Sequence, residues 1–573
     1  MRATNVKWTT TRTHLLVGLT IAAALFLKPA SYAAAPGITG PTFSLTAHAA
    51  YLTQPDGQAI YSWGYGCSAT PSGFVPSAIS GAFCNSMQVP GPTLIVTEGV
   101  AVTVTLTNGL PPAAGNTSIL FPGFNVKVGA TFDNSGACST GCGVPGLMTG
   151  EAVPGGSVTY TFTPSSPGTR AYYSGTQSGL QVEMGLYGAI IVLPATVPTI
   201  CTNGLPLSAS GNNKLAQQNW GEKDFRLATA AYDHDKTCYD REYLFQFSEI
   251  DPVIHKQAET QVAAAGNCTY GQPGCSLNVA IEPYHPSYFM INGRSMPDDM
   301  DPNYASQYPH QPYNGDPHMH PGEQVLLRII GQGRWQHPFH EHGNHVRILA
   351  RDGNLILSQS APEDLAGPLL FTTTTTPGLA MDGIFYWTAK GLNWDAYGHD
   401  ATSSSGDPNA ILPCTPDADG YNTSVPTAIN YFEWCQDHNK PVQVAPFGDV
   451  ASGGPATLPD PNILTNGQWY GGTPYLGPDA SLRATMPTCV GSPYGIANPT
   501  SPSGAAGTPA VATANCTTLL PSNTQANPAN ERGWAFMWHS HNEREITTNN
   551  VFPGGMLMMM LVDSREFVID ESL

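Results

Sequence analysis

Short β-prone runs, each closed off by glycine or proline, set the tightest limit on how this chain can fold. Thr93–Thr97 and Val100–Leu106 are rich in β-branched residues, Val158–Phe162 alternates, and Ala189–Leu193 is a continuous apolar run of the buried-strand type. Pro90-Gly-Pro92, Asn108-Gly109, Pro154-Gly-Gly156 and Pro167-Gly168 punctuate them. A second set follows at Tyr243–Phe247, Tyr288–Asn292, Val325–Ile330, Val346–Ala350, Phe371–Thr376 and Gly383–Thr388, and two more runs, Trp534–Trp538 and Gly555–Val562, stand near the end. Glycine and proline make up 111 of 573 residues, about 19% against a usual ~12%, and charged residues only 11% against roughly 25%. That balance excludes a coiled coil and predicts an all-β protein of sandwich type. A hydrophobic share of 41% is enough for packed cores.

The first 33 residues read as a cleaved secretory signal. Arg2, Lys7 and Arg12 precede an apolar stretch from Leu15 to Leu27, and Ser31-Tyr-Ala33 supplies small residues for cleavage. An apolar stretch of thirteen residues is too short to span a bilayer of ~30 Å, so no membrane span is expected. The whole chain carries a net charge of −19; losing four basic and no acidic residues with the signal makes it −23. So acidic a chain is a poor partner for nucleic acid or an anionic membrane. Twelve cysteines, an even number, fit a secreted or periplasmic protein. Pairing in sequence order is the simplest expectation: 67–84, 138–142, 201–238, 268–275, 414–435 and 489–516.

The strand pattern divides the chain into a first sandwich over 36–197 and a second over 225–398 plus 531–573. A polar linker around 202–224 joins them. Residues 399–530, rich in Gly, Pro, Ser, Thr and Asn, form a loop-rich insertion in the second. Three domains follow instead if the insertion folds by itself.

Histidines are unevenly placed. Apart from His14 in the signal, only His48 precedes His234, whereas His337-Pro-Phe-His340-Glu-His342 and His539-Ser-His541 are clusters. In a strand, residues i and i+2 share a face, so His340 with His342 and His539 with His541 present imidazole pairs. If the two strands are neighbours, four imidazoles converge, a donor set suited to copper, zinc, iron or nickel. His318-Met-His320, followed by Pro321-Gly322, reads as a turn, and Met556–Met560 as an alternating core strand.

These motifs resemble the multicopper oxidase family. His337-Pro-Phe-His340-Glu-His342-Gly and Val346–Gly353 are similar to the signature of its last cupredoxin domain, and Trp538-His-Ser-His541 with Gly554-Gly-Met556 to its C-terminal signature. Tyr288–Arg294, Pro321-Gly-Glu323, Val89–Thr93, Gly179-Leu-Gln181 and Gly185–Val192 fit as well. The resemblance implies tandem cupredoxin-like Greek-key sandwiches and copper as cofactor. It also implies four histidine motifs for a three-copper cluster. Here Leu120 and Pro122 stand at the first motif, Tyr173 and Gly175 at the second, and only His340, His342, His539 and His541 remain. For the family's blue-copper site, His337 matches one ligand, Ser540 stands at the cysteine, Glu545 at the second histidine, and Met556 matches the axial methionine across an insertion.

The expectation is therefore an exported copper-binding protein with a reduced metal centre at His340, His342, His539 and His541, with His337 as a further ligand candidate. It is an oxidoreductase if active, without a complete laccase-type cycle, and acts on an unidentified small-molecule or metal-ion substrate. The alternative is a non-enzymatic extracellular module for copper handling or surface assembly.

Overall fold

A computed structural model describes residues 35–71, 73–75, 84–129, 143–202, 224–390, 415–424, 431–436, 472–476, 531–563 and 569. Four large sheets hold nearly all of its strands. The expected signal segment, Cys138–Cys142 and Cys489–Cys516 lie outside the described residues.

Two five-stranded sheets come from the first part of the chain. One runs in the order Ala59–Cys67, Thr42–Thr53, Val102–Asn108, Ser157–Phe162, Lys127–Val128. The other runs Gly168–Tyr173, Tyr187–Leu193, Gly91–Thr97, Gly37–Thr39, Phe74–Val75. The alternation read at 102–108 and 157–162 is the burial pattern observed: every second residue turns inward, and Val102, Val104, Leu106, Val158, Tyr160 and Phe162 meet in one core. Tyr187–Leu193 is buried on both faces but for its last residue, as a continuous apolar run requires.

The later part builds a seven-stranded and a six-stranded sheet. The first contains Arg241–Ile250, Val325–Gly331, Ala380–Phe385 and Val346–Arg351; the second sets His318–Met319, Leu557–Asp563, Glu531–Ser540, His337–Glu341 and Thr372–Thr375 side by side. Their facing sides share a core in which Phe247, Phe339, Trp538, Met556, Met558 and Met560 are buried, so the methionine run is packing. The insertion is more than loop: Gly472–Leu476 pairs with Glu531–Ser540, and the Trp434 N–H donates to the Thr388 carbonyl.

Three expectations are corrected or completed here. His318-Met-His320 is no turn. His318–Met319 pairs with Leu561–Val562, His318 Nδ1 lies 2.6 Å from Asp563 Oδ2, and His320 Nδ1 lies 2.9 Å from the Asp563 carbonyl. A helix over Pro252–Ala265 interrupts the second β region; Asp251 caps it by accepting from the Val253 N–H at 2.9 Å, with Pro252 opening it. Disulfides 67–84, 201–238 and 268–275 follow sequence order, and Cys435 is also disulfide-bonded.

The two sandwiches are joined through Asp382. Its carboxylate accepts from the Thr169 hydroxyl (2.6 Å) and N–H (3.1 Å) of the first sandwich and from the Tyr232 hydroxyl (2.5 Å). Arg328, itself paired with Glu242 at 2.8 Å, donates to the Thr169 hydroxyl at 3.0 Å. All five side chains are at least 98% buried. The approach is close: a Cβ on Gly168, whose φ is +109°, would stand 2.9 Å from the Gly353 Cα. Asp382→Ala strands the Thr169 and Tyr232 donors. It should lower unfolding stability on the order of 3 kcal/mol and separate the two halves' transitions, measured by denaturant melts followed by fluorescence and circular dichroism.

Candidate metal centre

One strand pair carries the chemistry. His337–Glu341 and Glu531–Ser540 run antiparallel with His340 opposite His539 and Phe339 opposite Ser540. Opposed residues share a face and neighbours alternate, so this register divides the pair into two sides. His340 and His539 lie on one side. Phe339 and Ser540 lie on the other, with His337, two residues along from Phe339.

On the first side four imidazoles gather. Ring centroids are 4.9 Å apart for His340–His342, 5.5 Å for His340–His539, 4.8 Å for His340–His541, 5.2 Å for His342–His539 and 5.7 Å for His539–His541. His342 lies beyond the strand end, and its carbonyl accepts from Trp538 Nε1 at 2.9 Å. The His541 N–H donates to the Pro338 carbonyl at 2.7 Å. His340, His342 and His539 are buried, whereas His541 is exposed, so the group opens to solvent on one side.

Imidazole nitrogen is a donor type that late transition-metal ions accept. His539 Nδ1 lies 2.7 Å from the Ser540 carbonyl, an acceptor only, so Nδ1 carries the proton and Nε2 the lone pair. That Nε2 is 3.3 Å from His342 Nε2. Two nitrogens on a tetrahedral ion at ~2.0 Å stand about 3.3 Å apart. His340 Nδ1 is fixed 2.7 Å from the Thr372 hydroxyl. Burial, reinforced by the neighbouring imidazoles, pushes the His340 pKa down to about 3, and burial lowers that of His539. Both shifts favour the neutral rings. Among the described residues no group of three or more His, Cys, Asp or Glu side chains is placed so as to hold a metal ion.

His337 does not join them. Its Nε2 lies 2.9 Å from Glu249 Oε2 and its Nδ1 2.9 Å from Glu545 Oε2, so both ring nitrogens face carboxylates and neither faces a metal position. Ser540, at the cysteine position, donates to Glu545 Oε2 at 2.5 Å. The Ser540 N–H donates to the Met556 carbonyl, and the Met556 N–H to the Glu545 carbonyl. The four positions matched to the blue-copper ligands are therefore neighbours, with different chemistry. Glu249 was not legible as a partner: it lies 88 residues from His337, in the other sheet. Thr372 and Glu341 were also missed. The Glu341 carboxyl is fully buried, accepts from the Thr373 hydroxyl at 2.8 Å, and is pushed up to about 8 by that burial.

The first sandwich brings together its own matched positions. The Leu120 N–H donates to the Tyr173 carbonyl at 2.7 Å, and a Cβ on Gly175 would press the Leu120 side chain at 2.8 Å. Leu120, Tyr173 and Gly175, with the exposed Leu147 and Met148, line a cavity of about 750 Å³ that offers no imidazole.

The family profile described as multicopper oxidase matches residues 78–196. Over that stretch the chain is similar to multicopper oxidases. An L-ascorbate oxidase from Brassica rapa subsp. pekinensis is 31% identical over 137 residues, 24% of this chain and 21% of that one, so the chain spans about a fifth of that relative's length. The blue copper oxidase structure from Nitrosomonas europaea is similar over 91% of this chain and 85% of its own, with 14% identity and a TM-score of 0.40. A copper nitrite reductase from the same organism covers 61% and 85%, with 18% identity and a TM-score of 0.33.

The His337 cluster makes stability depend on pH. Burial alone would lower its pKa, but hydrogen bonds and charge from Glu249 and Glu545 outweigh that and lift it to about 9. The folded value stands above the unfolded one of about 6.5. The stabilisation is thus complete below about pH 6.5 and is lost as pH rises through about 9. Denaturant melts from pH 6 to 10 should show a decline on the order of 3 kcal/mol that His337→Gln removes.

Proposed function

We propose that this chain is an exported, copper-binding member of the multicopper oxidase family whose metal chemistry is confined to one centre at His340, His342, His539 and His541. The observation that carries this reading is the gathering of four imidazoles from two paired strands, with the His342 and His539 nitrogens at a tetrahedral edge length. Copper(II) heads the divalent affinity order for such nitrogen sites. Bound there, copper would supply one-electron redox chemistry. The protein's part is to orient the His340 and His539 rings through Thr372 and the Ser540 carbonyl, to hold the His342 backbone through Trp538, to favour neutral His340 and His539 by burial, and to admit solvent beside His541.

A laccase-type cycle is not part of this reading. Ser540 cannot act as a thiolate ligand, and Leu120, Pro122, Tyr173 and Gly175 leave the first sandwich without imidazoles for a three-copper cluster. Disulfide pairing in the structure agrees with an oxidising compartment. Among the described residues no helix is long and apolar enough to cross a membrane.

Two measurements test the proposal. In copper titration calorimetry the mature protein should bind copper, His342→Ala/His541→Ala should lose that binding, and His285→Ala, at an exposed histidine, should keep it. Equal binding in all three proteins would overturn the assignment. The copper-loaded protein should also lack the intense blue band of copper–thiolate charge transfer; a strong band would mean that a cysteine has been recruited.

A further inference from the structure

The inner side of the same strand pair carries a second constellation. His337, Glu249, Glu545 and Ser540 are all at least 98% buried. The imidazole lies between two carboxylate oxygens, each 2.9 Å from a different ring nitrogen. A neutral ring has one N–H and can satisfy only one of them.

His337 Nε2 is hydrogen-bonded to Glu249, while its Nδ1 meets Glu545 Oε2 at ion-pair distance without hydrogen-bond alignment; the other partners of the carboxylates bear on which protons the ring carries. Glu249 Oε1 accepts from the Arg334 N–H (2.7 Å), the Trp335 N–H (2.8 Å) and the Tyr284 hydroxyl (3.0 Å). Glu545 accepts from the Ser540 hydroxyl on Oε2 and from the Asn542 amide on Oε1 at 2.9 Å. These five donors favour the anionic form of both carboxylates, and an unprotonated ring nitrogen 2.9 Å from a carboxylate oxygen would be repelled, so the ring carries both protons.

We infer that the position of the family's mononuclear copper is filled by a fixed ion-pair clasp, with His337 held as an imidazolium between Glu249 and Glu545, and that this locus takes no metal. The inference rests on the family matching of His337, Ser540, Glu545 and Met556, not on copper at the four-imidazole centre.

The residues at this locus do not suit a copper ion. A metal would need both a lone pair on His337, which the two protons remove, and a soft anionic ligand, where Ser540 offers a hydroxyl already committed to Glu545. The clasp instead does the mechanical work of a metal. Glu249 belongs to the seven-stranded sheet, His337 to the six-stranded sheet, and Glu545 to the loop after the Glu531–Ser540 strand. One imidazolium thus ties both sheets and that loop together and fixes the start of the strand that presents His340. The backbone is shaped for it: a Cβ on Gly333, whose φ is +68°, would strike Glu249 Oε2 at 2.4 Å.

Histidine-selective nitrogen NMR of the mature protein, with zinc as a diamagnetic probe, decides the matter. At pH 7.5 the metal-free protein should show an imidazolium signal with both ring nitrogens protonated that disappears in His337→Gln. If that variant fails to fold, Ser540→Ala, which removes one donor from Glu545, should shift and so assign the same signal. Saturating zinc should move the signals of His340, His342 and His539 and leave the His337 imidazolium in place. In His340→Ala/His342→Ala, bound zinc and copper should fall to background. A His337 signal with one unprotonated nitrogen, its displacement by zinc, or metal retained in the double variant and lost on adding His337→Gln would overturn the inference. If the wild type binds no metal at all, the four-imidazole reading fails and the imidazolium signal still decides this one.

Discussion

Everything proposed for this protein depends on one antiparallel register, His340 opposite His539. Because side chains alternate at a period of two, that pairing commits one side of the strands to four imidazoles and the other to His337, Phe339 and Ser540. A slip of one residue would turn the imidazoles into the Phe339–Trp538 core and expose that core to water. The register is held by apolar packing and by the His541 N–H bonded to the Pro338 carbonyl. The four imidazoles are therefore brought together by the strand pairing itself.

The two sides treat histidine in opposite ways. Around His340 burial is reinforced by like neighbours, so protonation is disfavoured and the ring stays neutral. Around His337 burial is outweighed by two carboxylates, so the charged form wins. Residues three apart in one strand thus have their proton affinities driven apart, and the difference lies in what the opposite sheet and the following loop bring near. A buried ion pair of this kind is costly to break from one side: removing either carboxylate leaves the imidazolium under-paired in the core.

The same physics joins the halves of the molecule. Asp382 collects hydroxyl and peptide donors from Thr169 and Tyr232, and Arg328 is shared between Glu242 and Thr169. With only 11% of residues charged, these few buried ions stand out. Several of the most buried charged side chains, Arg241 with Glu323 among them, sit in such pairs and not on the surface.

The sequence by itself determined the all-β class, the alternating strands at 102–108 and 157–162, the core role of Met556–Met560, and the pairing of histidines by face. Each depends only on residue type and on a period of two, which are local. The family likeness also placed Leu120, Tyr173 and Gly175 together, and His337 with Ser540, Glu545 and Met556, because matched motifs occupy matched places in one fold. Only the tertiary structure decided what His337 touches, that His318 and His320 are buried hydrogen-bonded residues, that a strand from the insertion joins the second sandwich, and that Asp382 meets Thr169. Those outcomes depend on partners dozens to hundreds of residues away in the chain, and nothing in the local pattern of a carboxylate or an imidazole says which distant group will neutralise it.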